Sequence, residues 1–291
     1  MVHGAFHVVP GKRGPDGQWI EDTRFINATK KQINAVAARG GKILFLETSK
    51  EDIAYFDELM KIANLDWKGK YQPPRELPRE LRELLTAARE TLFQGPLMSA
   101  TRARNYIRKT FLSDGGRYFM DVVNHAREKG FRVIPVVPHK FLQQELDLQE
   151  IGRRLKSQGK HREALPYLLG AHMQGVELEH FMKREIEKKI QKGVVPDIVI
   201  CGGSHSGEVE KLLAEKGITP KRKDMPLSMY PKREQEPFKR IKPLYPHLRE
   251  LYAEERKREL QSIARALRTV KEKKAKTKKN RKRTPKRTRG K

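Results

Sequence analysis

Four short runs of almost unbroken Val, Ile, Leu and Phe, separated by much longer amphipathic stretches, constrain this chain more than any other feature. They fall at residues 4–9, 42–46, 131–137 and 197–201. A strand packed on both faces reads as a continuous apolar run, whereas a strand with one wet face alternates. Buried strands separated by helix-length segments are the pattern of an α/β fold. The expectation is therefore a central, mostly parallel sheet flanked by helices, occupying residues 1–219.

The intervening segments carry helix punctuation. One helix is expected over 23–39, stopped by Gly40-Gly41. A second starts at Ser49, a good N-cap, with Ile53, Phe56, Leu59, Met60 and Ala63 on one face. A third follows Pro78, which suits a first helical turn. Further helices are expected over 99–112, 117–129, 141–157, 161–169, 176–191 and 206–216.

The pattern breaks after Gly217. Residues 220–246 hold six prolines among charges, which argues against regular structure. Residues 248–270 can form one charged amphipathic helix with Leu251, Ile263, Ala266 and Leu267 as its apolar points. From Lys271 to Lys291 there are thirteen Lys/Arg against a single Glu, with too little apolar surface to repay ordering. The expected organisation is an α/β domain over 1–219, a Pro-rich linker and charged helix over 220–270, and a disordered basic tail over 271–291.

The formal charge of +27 is thus uneven: 1–220 contributes +8, 221–270 contributes +7 and the tail +12. The lone cysteine, Cys201, excludes an internal disulfide and a zinc-knuckle spacing. No apolar run approaches the ~18 residues of a membrane span, and the first residues lack the pattern of a secretory signal. A soluble protein of the reducing cytoplasm is the expectation.

One short pattern occurs twice, near the two ends of the α/β part. Gly4-Ala5-Phe6-His7 and Gly202-Gly203-Ser204-His205 are both Gly-x-x-His. A glycine at a strand end permits a sharp turn and a close approach. A histidine just beyond it stands at the carboxyl edge of the sheet, where open α/β folds bind ligands. Glu47 follows the run Ile43-Leu44-Phe45-Leu46, and His139 follows the run that ends at Val137-Pro138. If the strands are parallel, all four side chains emerge at one edge. Imidazole and carboxylate together form a common site for a divalent transition metal with an open position for water. Such a metal makes its water a nucleophile at neutral pH. Read singly, a strand-end histidine such as His139 is more often a hydrogen-bonded structural residue, and Glu47 at the end of an apolar strand needs a partner.

This layout resembles the TraB/Tiki superfamily, which also holds erythromycin-esterase-like and haem-uptake proteins. Its members open with a strand and Gly-x-x-His, continue with a strand ending in an acid, and close with a strand, a second Gly-x-x-His and a helix. The matching residues here are Gly4 to His7, Leu44 to Glu47, and Val199 to His205 followed by Val209, Leu212 and Leu213. The resemblance spans roughly residues 1–220 and implies metal-dependent hydrolysis, peptide hydrolysis in the Tiki branch. It implies His7 and His205 as metal ligands and Glu47 as ligand or general base. The family's Arg-and-Met helix corresponds to Glu177–Arg184, with Leu178 where the Arg is expected and Arg184 after it; Arg117, ahead of Met120, is the substitute candidate. Glu179 and His180 on the same stretch are secondary candidates.

Other signals are weaker. Gly11-Lys12-Arg13-Gly14-Pro15-Asp16-Gly17 offers glycines and two cations to an anion such as phosphate, yet matches neither the P-loop nor the dinucleotide pattern. Ser204-His205-Ser206-Gly207 fails the Gly-x-Ser-x-Gly elbow in both registers, and Ser206 reads as a helix N-cap. The tail cations, Lys278, Lys279, Arg281, Lys282 and Arg283 among them, suit phosphate-backbone contact with nucleic acid or ribosome. Phe238, Tyr245 and Tyr252 lie upstream among basic residues. Three readings stand side by side: a Tiki-like metal-dependent hydrolase with a nucleic-acid-directed tail, a non-catalytic RNA- or ribosome-associated protein on the same fold, and a metal-dependent enzyme acting on phosphate through Lys12 and Arg13.

Overall fold

The computed structural model describes residues 1–5, 11–13, 19–64, 71–94 and 99–229, with positions 246, 249, 250, 254 and 258 beyond them. In chain order the elements are β1 (Val2–Ala5), β2 (Gly11–Arg13), β3 (Trp19–Glu21), α1 (Arg24–Ala37), β4 (Ile43–Leu46), α2 (Lys50–Ala63), α3 (Arg79–Gln94) and α4 (Ala100–Phe111). They continue with α5 (Asp114–Glu128), β5 (Arg132–Pro135), α6 (His139–Ser157), α7 (His161–Gln191), β6 (Ile198–Gly202) and α8 (Ser206–Glu215).

The apolar runs form one four-stranded sheet of order β1-β6-β4-β5, parallel throughout, flanked by helices. This is the α/β architecture the continuous apolar runs called for. The pleat divides each strand between two cores. Leu44 and Leu46 of β4 and Ile198 and Ile200 of β6 face Phe25, Ile33, Tyr118 and Val122 of α1 and α5. Phe45, Val199 and Cys201 face Leu178, Met182 and Ile186 of α7 and Val209 and Leu213 of α8. Both faces are thus dry, which explains the absence of alternation. A third core, with Tyr55, Phe56, Leu59, Leu81 and Leu85, joins α2, α3 and α4.

Three helix starts follow a serine hydroxyl cap. Ser49 accepts from the Asp52 amide at 2.9 Å, Ser99 from Arg102 at 3.4 Å and Ser113 from Gly116 at 3.0 Å. The last of these opens α5 at Asp114, earlier than the expected 117, because the Ser113 hydroxyl caps the helix ahead of Gly115-Gly116. Gly40, at φ +83°, ends α1 as expected. The two helices expected over 161–169 and 176–191 are one helix, α7. Its glycines serve packing rather than termination. An added Cβ on Gly170 would meet Leu148, and one on Gly152 of α6 would lie 2.6 Å from Leu168.

Two more expectations change. Gly4 lies inside β1, paired with Cys201, rather than at a strand end. The first part of the supposedly irregular stretch after 220 runs along β1: Val2 donates to the Lys221 carbonyl, Lys223 to Val2 and Met225 to Gly4. These bonds cover the open edge of the sheet. The expected charged helix over 248–270 and the tail over 271–291 lie almost wholly outside the described residues.

Candidate active site

Parallel pairing brings β4 and β6 to the same edge, and the backbone continues there in register. The Glu47 amide donates to the Ile200 carbonyl at 3.0 Å, and Gly203 donates to Ala5 at 3.2 Å. Glu47 then turns its carboxylate back onto β6, where Oε2 accepts from the Gly202 amide at 2.6 Å. His205, the residue that opens α8, folds over the same glycine. A Cβ placed on Gly202 would sit 3.2 Å from His205 Cδ2 and 3.6 Å from Glu47 Oε2. Glycine lets both groups approach the strand closely; a side chain there would press the imidazole back by a few tenths of an ångström.

A second carboxylate reaches the histidine from α7. Glu179 Oε2 lies 3.0 Å from His205 Nδ1, and the two side chains are only 2% and 6% exposed. A carboxylate only accepts, so Nδ1 carries the hydrogen. In the neutral ring Nε2 then keeps its lone pair. A carboxylate holding the far nitrogen is the usual way a metal-ligating or basic histidine is oriented. Glu179, a secondary candidate on a charged stretch of helix, is buried. The signal lay in the period of α7: Leu178, Met182 and Ile186 form its sheet-facing stripe, and Glu179 adjoins that stripe.

The remaining candidates lie elsewhere. His139, expected beyond a strand, is the first residue of α6. Its Nδ1 is 3.0 Å from Asp52 Oδ1 and its Nε2 3.5 Å from Glu80 Oε1. The Asp52 hydrogen bond, outweighing the cost of burial, raises its pKa above the ordinary value. Ser49 Oγ donates to Asp52 at 2.6 Å, so the order is Ser–Asp–His and the hydroxyl is spent on a carboxylate. A Ser–His–Asp nucleophile is not assembled here.

Arg117 is buried on α5, where Nη1 donates to the Leu112 carbonyl at 3.0 Å and Nε lies 3.5 Å from Glu21 Oε1. Arg108 joins Glu21 at 2.9 Å and Asp121 at 2.8 Å in the same network. That arrangement gives Arg117 a structural task between β3 and α5. His180 is half-buried on α7. Arg184 on the same helix stacks over Phe181 at 4.3 Å. Lys12 and Arg13 lie on β2, opposite Ile20 and Trp19 of β3 in an antiparallel pair, so the expected glycine loop begins as a hairpin strand. His7 and the tail cations Lys278, Lys279, Arg281, Lys282 and Arg283 lie outside the described residues.

Ser206 is the first residue of α8 rather than its cap, and its hydroxyl donates to the Gly203 carbonyl at 3.2 Å. Burial, with the charges of Glu47, Asp224 and Glu179 behind it, pushes the Cys201 thiol well above its ordinary pKa, so it stays a thiol. Sequence reasoning also passed over His3. Its Nδ1 donates to the Lys223 carbonyl at 2.7 Å, and burial lowers its pKa. Neutral, it accepts at Nε2 from Thr29, which in turn accepts from Tyr118 at 2.8 Å. This buried chain ties β1, α1, α5 and the edge segment together.

Among the described residues no three His, Cys, Asp or Glu side chains converge closely enough to hold a metal. The described part of the site is a histidine, an orienting acid and a facing acid. No helix among the described residues is long and apolar enough to cross a membrane. Set against protein-family models, curated proteins and solved structures, the chain has no significant match.

Proposed function

We propose that this chain is a metal-dependent hydrolase whose site lies at the carboxyl edge of the sheet, around Gly202. The observation that carries the reading is the meeting of Glu47 and His205 across that glycine, both buried, with Glu179 on His205 Nδ1. Two buried acids and an imidazole at a strand edge serve no packing need, and an apolar set would cost less.

A divalent transition metal would take His205 Nε2 as a ligand, with His7 as the proposed second and Glu47 as either a further ligand or the general base. The donor types suit zinc, manganese or cobalt. When bound, such a metal supplies a water of lowered pKa. The chain's own residues do the rest. Glu179 fixes the ring of His205, and the Gly202 amide holds Glu47 through one oxygen, leaving the other for a single task, metal ligand or proton acceptor. The dry cores beneath keep bulk solvent from the acids. The resemblance to the TraB/Tiki superfamily favours a peptide or ester substrate and a cytoplasmic setting is consistent with the single cysteine. The basic tail is proposed to bring the enzyme to nucleic acid or ribonucleoprotein.

The test is metal content of the purified full chain after incubation with zinc, manganese or cobalt and desalting. About one equivalent is expected, lost in His205→Ala and, where Glu47 is a ligand, reduced in Glu47→Gln. A chain that retains no metal at neutral pH overturns the reading. Incubation of the loaded protein with peptides, esters and phosphodiesters then identifies the bond cleaved.

A further inference from the structure

The α6–α7 hairpin carries a cationic tip that the hydrolase reading leaves unexplained. From Arg153 to Arg162 the sequence is Arg-Arg-Leu-Lys-Ser-Gln-Gly-Lys-His-Arg: five cations and no acid. These residues end α6, turn through Gly159 at φ +78° and begin α7. All five cations are exposed. Among the described residues no carboxylate pairs with Arg154, Lys156 or Arg162; Lys160 lies 3.8 Å from Glu163, and Arg153 donates to Gln149.

The tip also stands away from the core. Between His161 and Val176 the buried residues of α7 are the small Ala164, Ala171 and Gly175, and α7 meets α6 at Gly170 with Leu148 and at Leu168 with Gly152. Leu178 is the first α7 residue in the sheet-facing core. At about 1.5 Å per residue, the tip lies about 25 Å along the helix from that point. A stability role explains part of this charge, since cations favour a helix C-terminus. It does not explain Lys160 and Arg162 at the start of α7, where the dipole disfavours them.

We infer that the tip of the α6–α7 hairpin is a binding surface for single-stranded nucleic acid. Five cations on the ends of two adjacent helices present a positive surface about 20 Å across, matched to a run of backbone phosphates. Tyr167, 39% exposed little more than a turn beyond Arg162, supplies a ring on which a base can stack. The same chain holds a second polycation in residues 271–291. A row of single positive charges exchanges its place with the counterions condensed on a linear polyanion, and nucleic acid is such a polyanion. This inference does not depend on the hydrolase reading and stands or falls separately.

The test uses the full chain and fluorescent 20-nucleotide oligouridylate and oligothymidylate, titrated by anisotropy across salt. In the R153Q/R154Q/K156Q/K160Q/R162Q variant the slope of log K against log salt should shallow by up to ~3.5, at ~0.7 per lost phosphate contact. Glutamine keeps helix propensity, and a matching far-UV spectrum and melting temperature confirm the fold. Y167A should weaken binding roughly tenfold with the slope unchanged, as loss of one stacked base does. Ultraviolet crosslinking of the unaltered chain should recover peptides from 153–167. RNA and DNA arms of equal strength indicate backbone recognition, and a stronger RNA arm indicates ribose contact; either supports the surface. An unchanged slope together with crosslinks confined to the tail overturns it.

Discussion

Two histidine–carboxylate pairs stand at the carboxyl edge of one sheet, each with 3.0 Å between nitrogen and oxygen, and their surroundings separate them. His205 and Glu179 are 6% and 2% exposed, and Glu47 faces them across Gly202. His139 and Asp52 are 12% and 20% exposed, and Asp52 also receives the Ser49 hydroxyl that caps α2. The first pair sits between strands and helix with little water to compensate either charge. The second fastens the start of α6 to the start of α2, with Glu80 as a wetter neighbour. Equal geometry therefore carries unequal consequences, because the dielectric around a pair sets both its strength and the cost of breaking it.

The largest break is expected at Glu179. Glu179→Ala leaves the His205 Nδ1–H buried without its acceptor and should destabilise the fold by about 1–3 kcal/mol, read by denaturant unfolding. A change below about 1 kcal/mol would mean that the first pair is no more than a surface contact. Next comes Gly202→Ala, whose methyl group meets His205 at 3.2 Å. It should cost about 1 kcal/mol as overpacking and weaken metal retention, since the imidazole must shift by a few tenths of an ångström. Ordinary stability with intact metal uptake would contradict the role given to the glycine.

The second pair yields a pH test. The folded pKa of His139 is raised above its unfolded value by Asp52. Its contribution is therefore fully present below the unfolded value of about 6.5 and is lost as pH rises through the folded value. Melting temperature should fall across that window, and Asp52→Asn should flatten the fall and cost about 1 kcal/mol at acidic pH, part of it from the helix cap. A histidine titration by NMR that places His139 at or below 6.5 would count against the pair. The smallest effect is expected at Glu80→Gln. Its side chain is 58% exposed and 3.5 Å from His139, so stability should move by less than about 0.5 kcal/mol. A larger loss would put Glu80 on a level with Asp52.

Much of the fold was legible because local rules and the global fold agree. Ser49 and the residues after it signal a capped helix, and the Ile43–Leu46 run signals a strand buried on both faces. The site was legible in part. Glu47 and His205 were readable as strand-edge residues, since parallel strands must end at one edge. Glu179 was misjudged, because a lone acid on a helix looks solvated unless one knows which helix face the sheet covers. His139 does lie just past a strand, as read; the sequence did not show that α6 begins there, at once after Pro138. His3 escaped notice because its partners, Thr29, Tyr118 and Lys223, are distant in sequence.

Taken by itself, the order of residues determined the parallel α/β layout, most helix ends, and the concentration of positive charge beyond residue 220. Those follow from hydrophobic period, cap chemistry and composition, which act over a few neighbours. Tertiary structure alone decided which acids meet which imidazoles, that α7 runs unbroken through its glycines, and that the segment after 220 closes the edge of β1. Such outcomes depend on the packing of surfaces far apart along the chain, and the free energy of a buried charge is fixed only once those surfaces have excluded water.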